Sequence, residues 1–148
     1  MKKLIVILSF VLSGSVLMAQ DRYHHTPDKV QRSFNNEYPQ ASRTRWSYDN
    51  SQWTAEFRQH GHGQMMARYG RDGEHIDTRD PLNKKDVPVA VKDRIKERYP
   101  HARRMEYTRI ERQHGNDQFY KVKLNRDGHD MIVYMDARGR ERGYYDRH

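Results

Sequence analysis

The chain of 148 residues carries 28 Lys and Arg against 20 Asp and Glu, a formal net charge of +8. It has no cysteine, which excludes disulfide staples, thiol catalysis and Cys-ligated zinc. Its length fits one compact domain or two very small ones.

The N-terminus, "MKKLIVILSFVLSGSVLMAQ", places two lysines before an apolar run and a small residue, Ala19, after it. That order predicts a secretory signal peptide over residues 1–19, with the mature chain starting at Gln20. The run is interrupted by Ser9, Ser13, Gly14 and Ser15 and falls short of the roughly 20 residues that a spanning helix needs, so no stable membrane anchor is expected. Cleavage removes Lys2 and Lys3 and leaves a charge of +6. In an exported chain that basic balance points away from nucleic acid and towards acidic envelope components.

Thr26 and Pro27 then predict a helix start, the threonine as cap and the proline at the first helical position. Val30, Phe34 and Tyr38 recur every fourth residue and make one apolar stripe. "EYPQA" stops the helix at Tyr38, because the following Pro39 disfavours helical geometry in the residue before it. The period then changes to two, predicting strands over residues 44–49, 52–59, 64–70 and 74–79, with turns at Asp49-Asn50, at residues 60–63 and at Asp72-Gly73. "DPLNKKDVP", residues 80–88, reads as a linker. A second helix opens at Pro88, with Asp86 as the nearest capping side chain. It carries the stripe Val91, Ile95, Tyr99 and stops at "RYPHA". Strands are predicted over residues 104–111, 118–125, 130–136 and 140–145, with turns around Gly115-Asn116, Asp127-Gly128 and Arg138-Gly139.

A shift of 61 superposes Pro27 on Pro88, Val30 on Val91, Phe34 on Ile95, Tyr38 on Tyr99, Ala41 on Ala102 and Trp46 on Tyr107. With small insertions the match continues, Gln52-Trp53 falling near Gln118-Phe119, Met65 on Met131, Ala67 on Val133 and Gly73 on Gly139. The expected fold class is therefore α+β: two tandem α-β-β-β-β repeats, residues 20–80 and 88–148 joined by 81–87, forming one curved antiparallel sheet with both helices on one face.

A short helix ending in "YP-x-A", a "Q-aromatic-x-apolar" strand and an apolar strand ending near "D-x-x-G" resembles the PepSY-like proteins, a group similar to the secreted beta-lactamase inhibitor proteins. The resemblance implies an envelope or secreted location and a non-catalytic role in binding, or restraining, another protein in the envelope or outside the cell. It carries over no catalytic residues and no cofactor.

Alternation assigns the faces. With Tyr120, Val122 and Leu124 turned to the helix, Lys121 and Lys123 turn away; with Met131, Val133 and Met135 inward, Ile132 and Tyr134 turn outward. The same logic turns Met66 outward beside Arg58 and Arg68. These seven residues, Arg58, Met66, Arg68, Lys121, Lys123, Ile132 and Tyr134, mix apolar anchors with cations as protein-binding surfaces do. The alternative is an envelope metal- or small-ligand-binding protein using "HGHGQMM", where His60 and His62 in an extended segment point the same way and His129 is the candidate third ligand. The mature chain contains no G-x-S-x-G, no H-E-x-x-H and no phosphate-cradling glycine loop, so no enzyme is expected.

Overall fold

The computed structural model describes residues 25–112 and 117–143. The expected signal peptide, the turn at Gly115-Asn116 and residues 144–148 lie outside the described residues. In chain order the elements are α1 (Asp28–Glu37), β1 (Ser42–Asp49), β2 (Gln52–Arg58), β3 (Gln64–Tyr69), β4 (His75–Leu82), a 3-10 turn (Lys84–Asp86), α2 (Val89–Arg98), β5 (Arg103–Arg112), β6 (Asp117–Arg126) and β7 (His129–Asp136). The seven strands form one antiparallel sheet in that same order.

Both helices end as their Tyr-Pro pairs require. Tyr38 N–H donates to Phe34 O (2.8 Å) and Ala41 N–H to Tyr38 O (3.0 Å), while Tyr99 N–H donates to Ile95 O (2.9 Å) and Ala102 N–H to Tyr99 O (3.0 Å). The starts differ from expectation, since neither Thr26 nor Asp86 caps: no side-chain cap bond exists at Pro27 or Pro88. Thr26 is instead buried, its carbonyl accepting from Gln31 Nε2 at 2.8 Å, and Asp86 is held in the 3-10 turn.

Directly opposed residues share a sheet face, so the registers carry the face assignment across the sheet. Trp53↔Tyr69, Ala55↔Ala67 and Phe57↔Met65 pack under Val30 and Phe34 of α1. That face continues through Ala67↔Thr78, then Thr78↔Glu111, Asp80↔Arg109 and Leu82↔Tyr107, to Tyr107↔Val122 under Val91 and Ile95 of α2. Both helices therefore cover one face. Among the described residues no helix lies on the other.

Three expectations are corrected. Asp80, Pro81 and Leu82, read as linker, belong to β4 and pair with Arg109, Thr108 and Tyr107. Pro81 is tolerated because β3 pairs only as far as Met66↔Arg79, leaving one side of β4 free where the proline lacks its N–H. The expected strand at residues 140–145 is reduced, among the described residues, to a single bridge, Met135↔Glu141, beside Arg142 N–H donating to Tyr134 O (2.8 Å). β4 is held by ladders on both sides, whereas a strand after β7 would have a neighbour on one side only. Finally, Phe119 is not the counterpart of Trp53. Trp53 packs under α1, whereas Phe119 opposes Ile110 and Asp136 on the helix-free face and its neighbour Tyr120 is the one turned to the helices, a one-residue slip that reverses the face.

The two glycine turns touch the helices alike. A Cβ on Gly73 (φ +84°) would lie 2.9 Å from Lys29 O, and one on Gly139 (φ +74°) 2.5 Å from Ala90 O. Gly139→Ala is expected to cost more than the roughly 1–2 kcal/mol of left-handed strain, and more than Gly128→Ala, where φ is +84° but nothing lies within 4 Å. Equal melting-temperature shifts for the two variants would show that the close approach to α2 does not constrain the turn.

Candidate functional site

The helix-free face is built in rows across the strands. One row runs Thr54, Arg68, Asp77, Arg112, Asp117; the next runs Arg45, Glu56, Met66, Arg79, Ile110, Phe119, Asp136. Beyond them lie Thr108, Lys121 and Tyr134, then Glu106, Lys123 and Ile132.

All seven sequence-predicted residues, Arg58, Met66, Arg68, Lys121, Lys123, Ile132 and Tyr134, stand on this face. They fall into two groups. Lys121↔Tyr134 and Lys123↔Ile132 are adjacent cross-strand pairs on β6 and β7, with Ile132 51% exposed and the Tyr134 ring 6.1 Å from that of Phe119. Arg58 and Met66 lie on β2 and β3, at the far side of the sheet.

Arg68, placed outward by alternation, is engaged within the protein. Its Nε donates to Asp77 Oδ1 at 2.8 Å, a second nitrogen bonds Asp77 Oδ2, and a third donates to Gln52 Oε1 at 3.2 Å. The Asp77 side chain is 0% exposed and that of Arg68 14%, and Arg79 Nε stands 3.6 Å from the same carboxylate. A carboxylate so deeply placed is tolerable only because paired charges and hydrogen bonds replace its water. The centre of the face is thus a largely buried ionic cluster around Asp77, and its accessible chemistry lies at the two ends.

Sequence reading also missed two apolar residues here, Ile110 (1% exposed) and Phe119 (4%). Arg112 stacks its guanidinium 5.2 Å from the Phe119 ring. The signal for Phe119 was its place beside Tyr120, two aromatics in succession that must face opposite ways in a strand.

The histidine loop does not assemble a metal centre. His60 and His62 sit in a turn closed by His62 N–H donating to Gln59 O (3.1 Å), not in an extended segment, because Gly61 takes φ +82°. His62 Nδ1 lies 3.0 Å from Asp80 Oδ2, which also accepts from Arg109 at 2.8 Å, and a guanidinium beside the carboxylate opposes a cation there. His129 begins β7, four strand positions from β3, about 19 Å at the usual spacing. Met65 is buried in the core under α1. Among the described residues no three His, Cys, Asp or Glu side chains are grouped as a metal requires.

On the helix side, a cleft of about 410 Å³ opens where the end of α1 meets β4, β5 and β6. Glu37, Tyr38, His75 and Thr78 line it as one network: Thr78 Oγ1 bonds both Tyr38 Oη and His75 Nε2 (2.9 Å), and His75 Nδ1 lies 3.1 Å from Glu37 Oε1. Burial, with the neighbouring Glu37, outweighs the Thr78 bond and pushes the Tyr38 hydroxyl up to about 12. Tyr69, which donates to Glu37 Oε2 at 3.1 Å, is raised as well, chiefly by burial. These hydroxyls stay neutral and serve as hydrogen-bonding groups that tie α1 to the sheet.

The architecture is a two-helix layer over one face of an antiparallel meander, and among the described residues no helix covers the other face. The chain belongs to the beta-lactamase-inhibitor-like, PepSY-like family, whose model matches residues 51–140. It is similar in fold to a BLIP-like protein from Bacteroides fragilis (18% identity, TM-score 0.73, covering 86% of this chain and 94% of that one). A DUF2874 family protein from Bacteroides uniformis (17%, 0.73) and a protein described as periplasmic from Bacteroides eggerthii (17%, 0.72) are similar too, each comparison covering 79% of this chain and 86% of the other. A comparison with curated proteins gives no match. Among the described residues no helix is long and apolar enough to cross a membrane.

Proposed function

We propose that this is an exported, non-catalytic binding protein that holds another protein of the envelope or the extracellular space through the helix-free face of its sheet. The observation that carries the reading is the pair of rows on β6 and β7, half-buried Lys121 beside half-buried Tyr134 and exposed Lys123 beside exposed Ile132, on the face that no described helix covers. Rigid aromatic and aliphatic anchors ringed by cations suit a partner of acidic character. Family membership supports a binding role, and the leader expected from the sequence of residues 1–19 together with a structural relative described as periplasmic supports export.

The face is wide because, on this reading, the chain is one unit used twice, residues 20–80 and 88–148, joined by 81–87. The supports are backbone features recurring at a spacing of 61: the helix limits, the tyrosine stops, and the left-handed Arg43 and Arg104, each at a register shift in the first strand after its helix.

Ile132→Glu with Tyr134→Glu places two like charges on the anchor rows without touching the core. Affinity capture from the native envelope fraction is expected to retain a partner with the parent protein and to lose it with the double variant, whose fold circular dichroism confirms. Retention of the same partner by both would remove the β6–β7 rows from the binding surface.

A further inference from the structure

The two bulged corners of the sheet have the same backbone and different charge. In the first, Arg43 is left-handed (φ 54°) at the bulge, Arg45 opposes Glu56, and Arg58 opposes Gln64. In the second, Arg104 is left-handed (φ 50°), Glu106 opposes Lys123, and Asn125 opposes Asp130. The opposed charges are reversed, Arg45 forming an ion pair with Glu56 in the first corner while Lys123 in the second is nearest Asp130, and the last two positions differ as well: Arg58 stands where the other corner has Asn125, and Gln64 where it has Asp130.

The second corner shows what such a corner holds. Asp130 Oδ1 accepts from Asn125 Nδ2 at 2.8 Å, and its other oxygen is 3.8 Å from Lys123 Nζ. The Asn125 hydrogen bond first, then the charges of Lys123 and Arg104, hold that carboxyl below its ordinary value. In the first corner the protein supplies no such acid. Gln64 Nε2 donates to Glu56 Oε2 (3.1 Å), the same oxygen that takes Arg45 (3.1 Å). Arg43 and Arg58 have no acidic partner among the described residues. Both are exposed, and with Arg45, Phe57 and Gln64 they line a depression of about 420 Å³.

Taking the sheet face as the binding surface, we propose that this corner seats a carboxylate, an Asp or Glu side chain of the protein partner, between Arg43 and Arg58. The partner's acid takes the place that Asp130 fills in the other corner. Guanidinium groups suit it because each presents paired N–H donors that match the two oxygens of a carboxylate. Arg58 then anchors one end of the face and the Ile132 and Tyr134 rows the other, with the largely buried Asp77 cluster between them.

The test is a titration of the 15N-labelled protein at low salt with the capped hexapeptide acetyl-(Asp-Glu)3-amide, with acetyl-(Asn-Gln)3-amide and inorganic phosphate in parallel. Saturable shifts are expected at the amides of Arg43, Arg45, Arg58 and Gln64 with the acidic peptide only. Gln64→Asp, which writes the second corner's acid into the first, and Arg58→Asn are each expected to weaken binding at least tenfold while leaving distant resonances in place. Asp130→Gln should expose a second set of shifts around Arg104. Affinity unchanged within twofold in Gln64→Asp, or no shifts at all, would overturn the proposal. Phosphate binding as tightly at the same residues would overturn the carboxylate assignment. Shifts confined to Lys121 and Lys123 would overturn the corner but leave the sheet-face reading standing, and that reading has its own test in the Ile132 and Tyr134 variant.

Discussion

Asp77→Ala is expected to destabilise the protein by about 3–5 kcal/mol, the loss that follows when one member of a buried ion pair is removed and the other stays. Asp77 is fully buried, and its carboxylate neutralises Arg68, itself largely buried, with Arg79 close by. Without it, Arg68 keeps a desolvated charge that a neutral partner such as Gln52 cannot balance. Set against the 5–15 kcal/mol that holds an ordinary domain, this is a large share. The urea midpoint, with an unchanged slope, measures it. The contrast is Arg45→Ala, where the pair with Glu56 is solvent-exposed and the expected loss is about 0–1 kcal/mol. A loss below about 1 kcal/mol in Asp77→Ala would mean that water reaches the cluster and that the centre of the face is less closed than its geometry indicates.

Phe34→Ala is expected to cost a similar amount, about 3–5 kcal/mol, for a different reason. Phe34 is the hub of the first core. Its ring meets Trp46 (5.2 Å, 75°) and Phe57 (5.0 Å, 81°) edge to face and Tyr38 at 5.5 Å. Removing it takes away the transferred area, leaves a cavity among rigid rings that collapse poorly, and loses the edge-to-face contacts. Ile95, at the same place on α2, packs among Val91, Tyr107, Val122 and Leu124, and its replacement by alanine should fall at about 2–5 kcal/mol. Thermal or urea unfolding followed by far-ultraviolet circular dichroism compares the two. A Phe34→Ala loss smaller than that of Ile95→Ala would show that the aromatic cluster relaxes into the space.

Much of this molecule is written in consecutive residues. The tyrosines before Pro39 and Pro100 end the helices where expected, and period-two alternation places Lys121, Lys123, Ile132 and Tyr134 on one face and Tyr120, Val122 and Leu124 on the other. Other features were legible only in part. Alternation put Arg68 on the open face correctly, yet it could not tell that Asp77 meets it there, because the register shifts between Arg68 and Tyr69 and places His75 and Thr78 on the same side of β4. The same shift brings His75, Thr78 and Glu37 together, three residues with no motif in common.

The sequence by itself determined where the helices stop, how many strands follow each Tyr-Pro stop up to the last, and which side of most strands is apolar, because these depend on local propensity and on the period of neighbours along the chain. Only the tertiary structure decided that the Asp80–Leu82 stretch is strand and not linker, that among the described residues the last pairing is a bridge at Glu141, that Asp77 pairs with Arg68, and that Arg43 and Arg58 share a corner whose acid, Glu56, is taken by Arg45. Each of these turns on register and on edge pairing between residues far apart in sequence, and a shift of one position in register reverses a face while leaving the local pattern unchanged.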